Sequence, residues 1–498
     1  MSVAARPLFA FDNTLVRELE GLYEPWQGAA VERPTLIALS GGVAELLGVD
    51  TDRLQEPESV AVLAGSVPPP GAEPVAMAYA GHQFGGYSPR LGDGRALLLG
   101  EVIDVHGTRQ DLHLKGSGRT PFARGGDGKA AIGPMLREFA ISEAMHALGI
   151  RTTRSLAVVA TGEPVIREVP LPGAVLTRVG ESHLRVGTFE YAARRDPELV
   201  RRLADYAIAR HYPQAAQAER PYLAFYEEVA AAQAELIARW MLVGFIHGVM
   251  NTDNMAISGQ TIDYGPCAFM DAYDEGTVYS SIDHQGRYAY GNQPAIAQWN
   301  LARLGETLLP LLSADQQAAI DDAERVLHGF GDRYRELHGV GLATKLGLRL
   351  APEVRADVQL LTDELLEILQ QEQPDLTGFF RALAGTLREG EGEGEGAAPA
   401  ALPRSERFAT WATRWRELLA AQGSAPADAA AAMDRVNPIY IPRNHLVEAA
   451  LEAATAGDLG PFREMLAVLQ QPFTERAGLE RWAAAAPPDP GYRTFCGT

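Results

Sequence analysis

One stretch constrains this chain more than any other. It is His247-Gly248-Val249-Met250-Asn251-Thr252-Asp253-Asn254, followed by Asp263-Tyr264-Gly265. It lies at the end of the most apolar helical segment in the sequence, predicted over 222–248, where Leu223, Tyr226, Val229, Ile237, Trp240 and Met241 mark the buried side. Any fold must therefore pin two acids and an amide against a buried helix. Asn and Asp favour turns, so one reading is a polar loop that caps the helix. The other is a cation site, because oxygen ligands suit a hard divalent ion that keeps several waters and leans on phosphates.

The spacing favours the second reading. In kinase-like folds a catalytic-loop Asn and a later Asp in an Asp-x-Gly turn grip Mg²⁺ between ATP phosphates, as Asn254 and Asp263 are spaced to do. The kinase loop reads His-x-Asp-x-x-x-x-Asn, with the Asp as base. Counted back from Asn254, that position is Val249, which cannot accept a proton. Asp253 is the nearest replacement. The loop is either degraded or has rearranged chemistry.

The chain has 498 residues, enough for two or three domains or two large lobes, and 46% hydrophobic residues can fill a core. Its net charge of −20 disfavours a nucleic-acid partner. The N-terminus lacks the apolar segment of a signal peptide, and no apolar run reaches membrane-spanning length, so no membrane partner is expected. Two cysteines, Cys267 and Cys496, make no disulfide framework and fit a reducing compartment, so a cytoplasmic location is expected.

The expected fold class is α+β, a bilobal protein-kinase-like fold with a mixed β-rich N-lobe and a largely helical C-lobe. Residues 1–75 read as an N-terminal extension. In it Leu36, Leu39, Val43, Leu46 and Leu47 recur at helical spacing and Gly48 ends the run. Residues 76–187 read as the N-lobe. The Gly-rich stretch Gly81 to Arg95 precedes the strand Ala96 to Ile103, and Asp111-Leu112-His113-Leu114-Lys115 alternates as a half-buried strand does. Such a turn is an ordinary hairpin or one that brings backbone N–H groups close to phosphate. Lys115 ends its strand 23 residues before Glu138, which lies in a helix predicted over 134–145. That is the Lys–Glu pair that holds ATP phosphates in kinase-like folds, with Glu143 as the rival partner. Gly116 to Lys129 reads as a loop that closes over a ligand. Strands follow at 156–159 and 174–179. Arg178 and Arg185 either clamp phosphate or form surface ion pairs. Residues 188–498 read as the helical C-lobe, with helices at 295–304 and near 315–328 and 353–371. Within it the Gly-Glu repeat at 390–396 marks a disordered loop over 388–403, and the chain ends in a Cys-bearing tail.

The motifs Gly81-His82-Gln83-Phe84-Gly85, Asp111 to Phe122, His247 to Asn254 and Asp263-Tyr264-Gly265-Pro266 together resemble the selenoprotein O family. The resemblance runs from about residue 75 to the C-terminus. It implies a kinase-like fold that binds ATP flipped and transfers AMP to Ser, Thr or Tyr hydroxyls of proteins. By that resemblance Lys115 contacts phosphate with Glu138 pairing it, and Gly92, Gly94 and Arg95 line the nucleotide loop beside Asp127 and Gly128. Arg178 and Arg185 hold the far phosphates, Asp253 is the base, and Asn254 and Asp263 are ligands of Mg²⁺ or Mn²⁺. Cys496 stands where other members carry selenocysteine. A mobile tail thiol can reach a fixed one, so a reversible Cys267–Cys496 disulfide is expected, against a buried inert Cys267. Two alternatives stay open: an atypical kinase that transfers the γ-phosphate, and a non-catalytic nucleotide-binding scaffold.

Overall fold

The computed structural model describes residues 7–388, 401–486 and 492–495. Its first half is organised by an eight-stranded sheet. The order along it is Tyr23–Pro25, Val75–Met77, Ala96–Ile103, Arg109–Lys115, Pro170–Gly180, Arg154–Ile166 and Thr35–Leu39, with Ala130–Ala131 also paired to Pro170–Gly180. All the pairings are antiparallel. Both faces of the central strands are covered, and in Arg109–Lys115 the polar Gln110, Asp111, His113 and Lys115 are buried with the apolar residues. On one face Val158 and Leu176 pack with Leu136 and Phe139 of the helix Ile132–Ala147. On the other, Leu112, Leu156 and Val175 pack with Val43 and Leu63 from two short N-terminal helices.

The first 75 residues, expected to stand apart as an extension, supply strands at both edges of this sheet, Tyr23–Pro25 and Thr35–Leu39. An edge strand presents unpaired N–H and C=O groups, and these segments cover them. Leu36 and Leu39, expected on a helix, lie in the second of these strands, and the helix Gly41–Leu46 starts only after Ser40, whose side chain accepts from Val43 N. The apparent helical period spans a strand–helix junction.

After residue 186 the chain is mainly helical. The apolar helix runs over Pro221–Val243, five residues shorter at its end than the predicted 222–248. Gly244, at φ 71°, takes the left-handed conformation that closes a helix cheaply only at glycine. Phe245–Ile246 then pairs antiparallel with Ala268–Phe269. The constraining stretch is thus the long loop of a miniature hairpin rooted in the core. Helices at Gln293–Leu312, Gln316–Lys345 and Arg355–Glu372 follow, each where periodicity placed one and the first two longer than expected. The Gly-Glu repeat lies outside the described residues. No helix among the described residues is long and apolar enough to cross a membrane.

Candidate active site

Lys115 closes its strand and meets Glu138 on the facing helix, with Nζ 2.5 Å from Oε2. The rival Glu143 is engaged elsewhere, by Arg154 at 2.6 and 2.7 Å and by Ser40. The helix Ile132–Ala147 crosses the sheet so that Glu138 faces the site and Glu143 faces Arg154.

Asp263 is the hub. Its carboxylate accepts from Arg178 Nη1 at 2.6 Å, from Lys115 Nζ at 3.4 Å, and from Arg185 Nη1. Burial alone would raise its pKa, but Arg185, Arg178 and Lys115 hold it well below the usual carboxylate range. Its backbone sits at φ 60°, a strained position for a non-glycine residue. Arg178 and Arg185 are each 2% exposed. Neither is the surface ion pair that the sequence left open.

Arg178 is held from behind. Its Nη2 lies 2.9 Å from His113 Nδ1, and His113 Nε2 lies 3.0 Å from Asp93 Oδ2. Arginine can only donate, so Nδ1 accepts and Nε2 carries the proton that goes to Asp93. Burial lowers the His113 pKa and keeps the ring neutral. Arg185 stacks over the Tyr79 ring at 4.6 Å and donates to Asp253 O at 2.5 Å.

Asp253 lies in a short 3₁₀ turn, Thr252–Asn254, and is 7% exposed. Burial pushes its pKa up to about 6, against the pull of Arg185. Gln83 Nε2 donates to its Oδ2 at 3.2 Å, while Oδ1 is buried without a hydrogen-bond partner among the described residues. Asn254 Nδ2 donates to Val249 O at 2.9 Å, which orients the amide and leaves the carbonyl oxygen as the atom it could offer a cation. Among the described residues no three His, Cys, Asp or Glu side chains cluster as a metal cage. A set of one Asn and one Asp oxygen fits a cation completed by nucleotide phosphates and water rather than a closed protein site.

These groups line one cavity of about 710 Å³. Seven cationic side chains (Arg95, Lys115, Arg124, Lys129, Arg167, Arg178 and Arg185) face four carboxylates (Asp93, Asp127, Asp253 and Asp263). Arg95 Nη1, Arg178 Nε and Arg185 Nε are buried without a partner among the described residues. Gly92, Gly94, Asp127 and Gly128 also lie on the wall. The two loop glycines answer to packing. A Cβ on Gly92 would lie 2.3 Å from the Phe122 ring, and one on Gly94 would lie 2.8 Å from Phe122 O. The loop expected to close over a ligand is docked on them. Asp127 is tied to Arg167 at 2.8 Å. Gln83, Tyr79, Asp93, His113 and Arg167 belong to the site but were not singled out individually from the sequence. Gln83, Asp93 and His113 stood in stretches that had drawn attention, and Tyr79 and Arg167 in none.

Cys267 is fully buried, and burial pushes its thiol up to about 11. The tail passes close by: Thr494 Oγ1 donates to Pro266 O at 2.6 Å, and Ser281 N donates to Thr494 O at 3.0 Å. Cys496, its expected partner, lies outside the described residues.

A cation-rich cavity that also holds a raised-pKa carboxylate, on a mixed α+β scaffold, suits a nucleotide-dependent transferase. A family model described as "Protein adenylyltransferase SelO" matches residues 8–470. The chain is 60% identical over 494 residues to a "Protein nucleotidyltransferase YdiU" of Cereibacter sphaeroides, covering 98% of this chain and 100% of that one. It is 56% identical to proteins of the same name from Mycolicibacterium smegmatis and Pseudarthrobacter chlorophenolicus, with both chains covered in full. The chain belongs to the protein adenylyltransferase SelO family and is a nucleotidyltransferase.

Proposed function

We propose that this chain transfers AMP from ATP to Ser, Thr or Tyr hydroxyls of protein substrates and releases pyrophosphate, with Mg²⁺ or Mn²⁺ as the accompanying cation. The observation that carries this is the surplus of cationic over carboxylate side chains on the cavity wall, in a chain whose net charge is −20. Lys115, Arg178 and Arg185 are the groups that would hold the polyphosphate. Because the two arginines are the most deeply buried, the most charged end of ATP is favoured to enter first. That leaves the α-phosphorus as the electrophile on the Asp253 side.

In the reaction the acceptor oxygen bonds to the α-phosphorus while the bond from that phosphorus to the bridging α–β oxygen breaks. Asp253 takes the hydroxyl proton, and its raised pKa suits a group that must accept one near neutrality. Pyrophosphate leaves against Arg178 and Arg185, which are already oriented by His113 and Tyr79. Asn254 and Asp263 would hold the divalent ion, which supplies charge neutralisation across the phosphates. Glu138 keeps Lys115 extended, and Gly92, Gly94, Arg95, Asp127 and Gly128 form the remaining nucleotide wall. We place the β-rich 76–187 and the helical 188–498 as two kinase-like lobes around this cavity, in a cytoplasmic protein that needs no nucleic-acid partner.

The test is intact mass of an acceptor protein after incubation with the chain, ATP and metal. AMP transfer adds about 329 Da per site and phosphate transfer about 80 Da, the covalent additions each would leave. A gain of about 80 Da would make this chain a kinase, and no gain with any acceptor or with the chain itself would make it a binding scaffold.

A further inference from the structure

The hairpin Gly81–Gln83 and Gly86–Ser88 forms a two-stranded sheet of its own, apart from the large one. Its sequence looked like part of a phosphate loop. In the structure it grips the catalytic loop instead. His82 N donates to Thr252 Oγ1 at 2.7 Å, and Glu190 joins the His82 ring to the same hydroxyl. Phe84 N donates to Asn251 Oδ1 at 3.1 Å. These contacts fix the backbone on either side of Gln83, whose amide reaches Asp253 Oδ2 at 3.2 Å.

The space around Asp253 is cut to fit. A Cβ on Gly81 would lie 2.5 Å from Asp253 Oδ1, and a Cβ on Gly187 would lie 3.3 Å from Asp253 Cα. The aspartate therefore stands in a slot between two glycines, with one oxygen held and the other unpartnered.

We propose that Gln83 is a positioning residue that tethers Oδ2 of Asp253 and, with Oδ1 packed against Gly81, fixes the plane of the carboxylate toward the acceptor hydroxyl. This rests on the reading of Asp253 as the base. The carboxylate torsion of an aspartate is broad and roughly two-fold, so an untethered group spends much of its time misaligned. Holding one oxygen fixes the other. A neutral amide does this without adding a cation that would compete for the nucleotide phosphates. It also donates without offering a proton that titrates with the base.

The experiment uses Gln83→Leu and Gln83→Glu in the full chain, each alone and combined with Asp253→Asn. Transfer from α-labelled ATP is followed to dephosphorylated casein or to the chain's own hydroxyls, whichever the wild type modifies. Gln83→Leu lowers kcat by about ten- to a hundredfold, the scale of one hydrogen bond to a charged group, with the KM for ATP unchanged. Gln83→Glu keeps the shape but cannot donate, and falls at least as far. Added to Asp253→Asn, neither change costs anything further, because the tether has lost its object. Wild-type kcat in both Gln83 variants, an effect confined to the KM for ATP, or losses that add in full to that of Asp253→Asn would each overturn the inference. If Asp253→Asn itself turns over normally, the base assignment is what fails.

Discussion

Replacing Asp263 with Asn separates the two jobs of that carboxylate. The residue sits at φ 60°, where asparagine is tolerated far better than alanine, so Asp263→Asn keeps the turn. It removes one negative charge from among Lys115, Arg178 and Arg185. In the unliganded protein the three cations then face one another with Glu138, Asp93 and Asp253 as the remaining carboxylates nearby, and the loss of one partner from such a buried cluster costs about 3–5 kcal/mol of stability. The same change removes the anion with which metal-free ATP must compete for those cations. Across a separation of about 6 Å at an effective dielectric near 20, one such repulsion is worth about 3 kcal/mol, or roughly a hundredfold in affinity. Asp263→Asn therefore melts earlier than wild type without ligand, binds ATP in chelator up to a hundredfold tighter, and transfers no AMP when metal is restored. Calorimetric titration with ATP in chelator, melting curves with and without nucleotide, and label transfer read the three effects. Weaker metal-free binding by the variant, or near-normal transfer, refutes the assignment of Asp263 as both cation hub and metal ligand.

Asp253→Asn lowers the transfer rate by roughly 10²–10⁴ with ATP affinity largely kept, since shape is retained and proton acceptance lost; a collapse of ATP binding in a titration would instead make Asp253 a ligand. Lys345 lies far from this site in the helical region, buried with Nζ 4.1 Å from the centre of the Phe380 ring, and burial pulls its pKa from 10.5 down to about 7. Below pH 7 the amine is charged in both the folded and unfolded chain, and keeping it buried costs about 5 kcal/mol. Between pH 7 and 10.5 only the unfolded chain holds the proton, so stability from this group rises with pH. Lys345→Met therefore gains up to about 5 kcal/mol over wild type at pH 6.5 in urea unfolding, and that advantage shrinks toward pH 10; a constant difference across the range contradicts the burial of a charged amine.

The parts of the site that the sequence disclosed are those that sit at fixed offsets along one strand, helix or loop. Lys115 at a strand end, Glu138 a helix later, and Asp253, Asn254 and Asp263 in one loop all follow from spacing. Arg178 and Arg185 came from their place near a strand end. What stayed hidden was the support behind them. His113 was legible only as the polar member of an alternating strand, and its link from Asp93 to Arg178 depends on strands paired across more than sixty residues. Gln83 meets Asp253 across 170 residues, and no local period encodes such a contact. The fold shows the same division. The central strands and long helices were readable, whereas the first 75 residues were not, because edge strands of three and five residues carry too few alternations to outweigh a chance helical spacing.

The cavity's surplus of cations lies inside a chain of net charge −20, and this affects the encounter as well as the bound state. A nucleotide that comes within about one Debye length of the surface, about 10 Å at 0.1 M salt, meets the field of an acidic molecule and is repelled. Only at the mouth does the cationic wall dominate. Added salt therefore speeds arrival by screening the repulsion, and speeds departure by weakening the hold. The enzyme's traffic with its nucleotide quickens in both directions as ionic strength rises. Affinity falls only by the margin between the two effects.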